Sequence, residues 1–199
     1  MKRVVMLSVL LLFSLTAVLV AEALPGVLYV SAKSGLVLRD APRTTGKQLA
    51  LIPCGYKLAP QGYPQNPTTI GGRAGHWIKT SWLDLQGTEH TGWVFNGFLT
   101  DKPVAGVHRT STGRFDVVHA TDSGANLVIK LANGQSLTLR IVLPCRQPDG
   151  YNLLEEGPKG QDYFKGKTVR VVWAKRKLWD AGSSAAGDFD VLDELTVVR

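Results

Sequence analysis

The sequence predicts an all-β protein built from two small domains, and three observations carry that expectation. Short runs rich in Val, Ile, Leu, Trp and Thr recur along the chain, each bounded by Gly, Pro, Asn or Asp. No stretch keeps a helical apolar period for about twelve residues. The pattern lapses at Asp101-Lys102-Pro103, which divides the chain into 24–104 and 105–199, each near the smallest size that folds alone. Many short strands at even spacing suggest small barrels or sandwiches. With 199 residues, 44% hydrophobic and 20% charged, the composition excludes wholesale disorder and a multi-span membrane protein.

In chain order, Lys2 and Arg3 precede an apolar run over 4–21, followed by the small-x-small site Ala21-Glu22-Ala23. This layout is that of a secretory signal, residues 1–23, cleaved after Ala23. The run is long for a signal, so an uncleaved single-span anchor is the alternative, and the only membrane contact expected. Export would place the protein in the periplasm or outside the cell. An oxidising compartment favours a disulfide between Cys54 and Cys145, with two free thiols as the alternative.

Strands are expected at 27–32, 35–38, 48–52, 56–60, 76–80 and 92–95 in the first half. Residues 61–75, rich in Pro, Gly and Thr, read as a long loop, and 80–91 lengthen the hairpin that follows. In the second half strands are expected at 115–120, 126–131, 136–142, 168–174 and 189–198. Asn133-Gly134 between two alternating runs signals a hairpin with a type I′ turn, which needs positive φ at both residues. Residues 146–164 come nearest to a helix. Pro148, Gly150, Gly157, Pro158 and Gly160 limit them to one or two turns.

Four motifs occur in a recognisable order: Gly35-Leu36-Val37-Leu38-Arg39-Asp40-Ala41-Pro42, then Gly55-Tyr56-Lys57-Leu58, His76-Trp77-Ile78-Lys79, and Gly92-Trp93-Val94-Phe95 leading to Gly97-Phe98-Leu99. Over residues 26–101 the chain resembles bacterial SH3 domains. The resemblance implies a small barrel that binds cell-wall peptidoglycan, through its peptide or glycan, or an envelope protein. In the second half the irregular stretch separates the third and fourth strands, and Lys165-Gly166-Lys167-Thr168-Val169-Arg170-Val171-Val172-Trp173 is similar to the fourth strand of OB-folds. An OB-like five-stranded barrel is expected there, with a second SH3-like barrel or a small sandwich as alternatives.

Tyr56, Tyr63, Trp77 and Trp82 are more aromatics than so small a barrel easily buries. Those left exposed would line a shallow groove for peptide or glycan, with Arg73 and Lys79 as charge partners; core packing is the alternative for each. Arg39 is expected to bond nearby carbonyls or a carboxylate such as Asp40 or Asp84. The formal charge of +7 favours acidic partners. Lys165, Lys167, Arg170, Lys175, Arg176 and Lys177 interleave with Tyr163, Phe164, Trp173 and Trp179, a pattern suited to tracking a nucleic-acid strand. The acids Asp188, Asp190, Asp193 and Glu194 fall on the next strand, where they pair with those cations, so no nucleic acid is expected.

No catalytic motif stands out. His76, His90, His108 and His119 lack metal-ligand spacing, so neither a metal nor another cofactor is expected. Cys54 with His76 or His90 would imitate a cysteine hydrolase, but Pro53-Cys54-Gly55 has no helix start to lower the thiol pKa. The chain is therefore expected to be a non-enzymatic envelope binding module. An adaptor or regulator docking another envelope protein is the second possibility, and a cysteine hydrolase the third.

Overall fold

The computed structural model describes residues 26–122 and 124–198. The expected signal over 1–23 lies outside them. Strand is the dominant element, and no helix among the described residues is long and apolar enough to cross a membrane.

Eight strands occupy the first half: β1 (Leu28–Val30), β2 (Leu36–Arg39), β3 (Gln48–Ile52), β4 (Lys57–Leu58), β5 (Gln61–Ile70), β6 (Arg73–Leu83), β7 (Glu89–Phe95) and β8 (Leu99–Thr100). They form two sheets, β4-β1-β8 and β3-β2-β7-β6-β5, rather than one closed ring. Alternation explains how the larger sheet faces its core: Leu36 and Leu38 point inward while Val37 and Arg39 are half-buried. Leu28, Val30, Ile52, Leu58, Ile78 and Val94 complete that core.

The Pro- and Gly-rich segment expected to be a loop is strand β5, ten residues long and paired with β6. Its two prolines sit at register breaks between Gln61 and Thr68, on an edge where a missing N–H leaves no ladder bond unmade. Ile70 faces Arg73 across Gly71-Gly72, both with positive φ, so the two-residue mirror-image turn is here. At Asn133-Gly134 only Gly134 has positive φ, and Gly134 N donates to Leu131 O while Leu131 N donates to Gln135 O. That is a three-residue connection with the glycine absorbing the extra twist, not the expected type I′ turn.

The second half holds β9 (Arg109–Thr121), β10 (Gly124–Leu131), β11 (Ser136–Arg146), the single-turn helix α1 (Gln161–Phe164), β12 (Thr168–Asp180) and β13 (Ala185–Val197). Their hydrogen-bonded order β10-β11-β13-β12-β9 returns to β10 and closes a five-stranded barrel. Only the β11–β13 seam is parallel. Helix α1 drops the fully buried Phe164 into the barrel, where it stacks on Phe115 with ring centres 5.6 Å apart.

Among the described residues, strands pair only within 28–100 or within 109–197. The halves are nevertheless joined. Tyr56 Oη on the first half donates to Lys177 O (2.9 Å) and accepts from Lys177 N (3.0 Å), and Arg146 Nη2 donates to Val27 O.

Candidate functional site

A cleft of about 460 Å³ opens where the two halves meet. One wall comes from β4 with its flanking residues, the start of β5 and the β6–β7 hairpin: Tyr56, Leu58, Gln61, Ser81, Trp82, Leu83 and Glu89. The other comes from the barrel: Arg140, Ile141, Leu143 and Pro144 of β11, Leu178 and Trp179 of β12, and Phe189 of β13. Tyr56 meets Trp82 edge-on at 5.2 Å, which orients both rings. The extension over 80–91 is what brings the hairpin to the barrel. Its turn is tied by Asp84, whose carboxylate accepts from Gln86 N, Thr88 N and His90 Nε2. The His90 bond, with those from the backbone, holds the Asp84 carboxyl below the usual range. Gly87 in this turn has φ +79°, and a Cβ there would lie 2.6 Å from the Trp179 ring. A glycine is required for the turn and the indole to approach so closely.

The deep end of the cleft is polar and shut off from water. Arg176 of β12 grips Asp193 of β13 at two points, Nη1–Oδ1 2.7 Å and Nη2–Oδ2 2.8 Å, and Nη2 also donates to Gly55 O at 2.6 Å. His108 Nδ1 donates to Val104 O, which turns Nε2 toward Arg176 (3.2 Å) and Asp193 (3.3 Å). Lys57 donates to Leu192 O at 2.8 Å and stands 3.6 Å from Asp193. Burial alone would raise the Asp193 pKa, but bonds from His108 and Arg176 and the nearby cations hold it low. Burial pushes Lys57 down to about 8 despite the pull of Asp193. Tyr29, edge-on to His108 at 5.1 Å, is raised by burial and by Asp193 and Glu194. A second ion pair, Arg146–Glu194 at 3.2 Å, borders this network.

Of the residues expected to bind ligand, Tyr56 and Trp82 line the cleft. Trp77 does not: it is 3% exposed and packs on Phe95, with ring centres 6.0 Å apart, so it supports the sheet. Arg73 lies over the Phe98 ring and donates to Gly97 O, clamping the end of β6. Lys79 is exposed on β6, cross-strand from Trp93. Tyr63 on β5 is 82% exposed. Arg39 behaves as expected, donating to Gly46 O at 2.7 Å.

The cysteines need correction. Both are free thiols, Cys54 half-buried and Cys145 buried, and the expected disulfide is not formed. Cys145 instead lies in the field of Lys57 and Asp193 beside the polar network, and burial raises its pKa. The basic run of β12 is dispersed: Arg176 is spent on Asp193, Lys175 lies 3.9 Å from Asp190, and Lys177 faces Asp188. Phe164 and Trp173, counted among its stacking aromatics, are buried.

Trp179, Phe189, Leu143 and Glu89 join the cleft without having been singled out as its walls. Trp179 was visible only as one aromatic of a basic run. Leu143 is 61% exposed, which the apolar run around it gave no reason to expect. No protein-family model matches the chain, and no curated protein matches it.

Proposed function

We propose that this is an exported, non-enzymatic binding module of the cell envelope, and that the cleft between its halves holds the ligand. The observation that carries the reading is the cleft itself. Four aromatic rings, Tyr56, Trp82, Trp179 and Phe189, converge from two separately hydrogen-bonded units on one concavity large enough for a short chain segment. A rigid frame supports them: the bond from Arg176, held by Asp193, to Gly55 O and the Tyr56–Lys177 bonds fix the two walls relative to each other.

The SH3-like reading of 26–101 rests on the sequence motifs. The OB-like reading of 105–199 is supported by five strands closing on themselves with one helical turn between the third and fourth. Together with the signal-like start they favour cell-wall peptide or glycan as the ligand. Sedimentation with purified peptidoglycan sacculi tests this: retention of the protein and its loss in Trp82→Ala and Trp179→Ala are expected. Equal retention of both variants, or none of the parent, overturns it. A second reading, docking of another envelope protein, is favoured by Leu83 and Leu143, 48% and 61% exposed on facing walls of the cleft.

A further inference from the structure

The cleft offers more than rings, and its other features narrow the occupant, on the reading that it is the binding site. Strand β6 keeps its pairing with β7 through Leu83↔Glu89, but its last partner on β5 is Gln61↔Lys79. Among the described residues, 81–83 therefore run on with one strand edge unpaired, and all three line the cleft. An unpaired edge is a template for another extended chain.

Charge supplies a second feature. The lining cations Lys57 and Arg176 face Asp193, and Arg140 lies 3.3 Å from Asp180, whereas exposed Glu89 makes no ion pair among the described residues. Part of the neutral capacity for sugar hydroxyls is already taken up: Gln61 Nε2 donates to Ser81 Oγ, which shares a hydrogen bond with Thr91 Oγ1.

We propose that the cleft takes an extended peptide bearing a basic side chain, added as a strand along residues 81–83. Its backbone bonds the open edge, and the basic group pairs with Glu89. Alternate apolar side chains rest on Leu83 and Leu143.

The test is tryptophan fluorescence of the whole protein titrated with end-capped peptides of roughly eight residues alternating Val and Lys. Three companions are the Val/Glu counterpart, the Val/Lys peptide N-methylated at alternate amides, and glycan strands freed of peptide. Binding of the Lys peptide about tenfold tighter than the Glu peptide, weakened by N-methylation and levelled by Glu89→Gln, is expected. Equal binding of the two charge types, or indifference to N-methylation, overturns the proposal. Binding of glycan strands but not peptides overturns it while leaving the cleft as the binding site. Silence with all four probes takes the cleft down as well.

Discussion

Arg176 and Asp193 face each other with two N–H···O bonds under 3 Å, one exposed by 4% and the other fully buried. The guanidinium reaches past its own barrel to Gly55 O on the first half, so the ion pair is shared between the two units. Two charges out of water are stable only with such close, bidentate geometry. The wall-to-wall spacing of the cleft depends on this contact.

Asp193→Ala leaves Arg176 and Lys57 buried without their anion, and is expected to cost about 3–5 kcal/mol in urea unfolding. Arg176→Met combined with Asp193→Leu should cost clearly less than the sum of the single changes, because no lone charge remains. Additivity of the two would show that the side chains act independently.

The same network predicts a signature in pH. The Asp193 pKa is lowered on folding, so its contribution is present above the ordinary carboxylate range and is lost as pH falls through its folded value. Lys57 is also lowered, from 10.5 to about 8, so between those values the unfolded chain binds more protons and stability rises with pH. Cys145 and Tyr29 are raised, and oppose this above their ordinary values of 9.0 and 10.0. The Lys57 effect is therefore cleanest from about pH 8 to 9, where the protein should gain up to about 1 kcal/mol over Lys57→Met. A difference between the two proteins that is flat across that window contradicts the assignment.

Gly87→Ala places a methyl group against the Trp179 indole at a positive-φ position. A loss of about 1–3 kcal/mol is expected. The tryptophan emission should shift as the ring is displaced. A variant with the parent's stability and spectrum would mean that the hairpin turn and the barrel are not in register.

Much of the architecture was legible because period-two alternation and turn residues act locally: β3 was placed to the residue, and the single helical turn fell where prolines and glycines allowed one. Strand β5 was not legible, since its prolines and glycines are breakers in isolation and are tolerated only at an edge with broken register. The cleft was half legible. Tyr56 and Trp82 stood out as surplus aromatics, but nothing local says that Trp179 will lie against a hairpin turn from residues 84–88. Asp193 looked like one of four cross-strand acids. Its role as a buried counterion depends on Arg176, His108 and Lys57 arriving from three other segments.

Thiol accessibility checks the cysteines. Alkylation of the native protein without reductant should label Cys54, whereas Cys145, buried and with a raised pKa, should react only after unfolding. No label until reduction would mean that the two are joined.

Phe164→Ala empties the barrel end that α1 fills, and should lower stability by about 3–5 kcal/mol while the first half keeps its tryptophan packing.

The most direct measurement of the central claim is amide chemical-shift mapping of the protein against soluble peptidoglycan fragments. Binding in the cleft predicts that shifts cluster at 81–83, 140–144, 178–179 and 189, on both walls at once. Shifts confined to the exposed surface around Tyr63 and Lys79, or none at high fragment concentration, would contradict it.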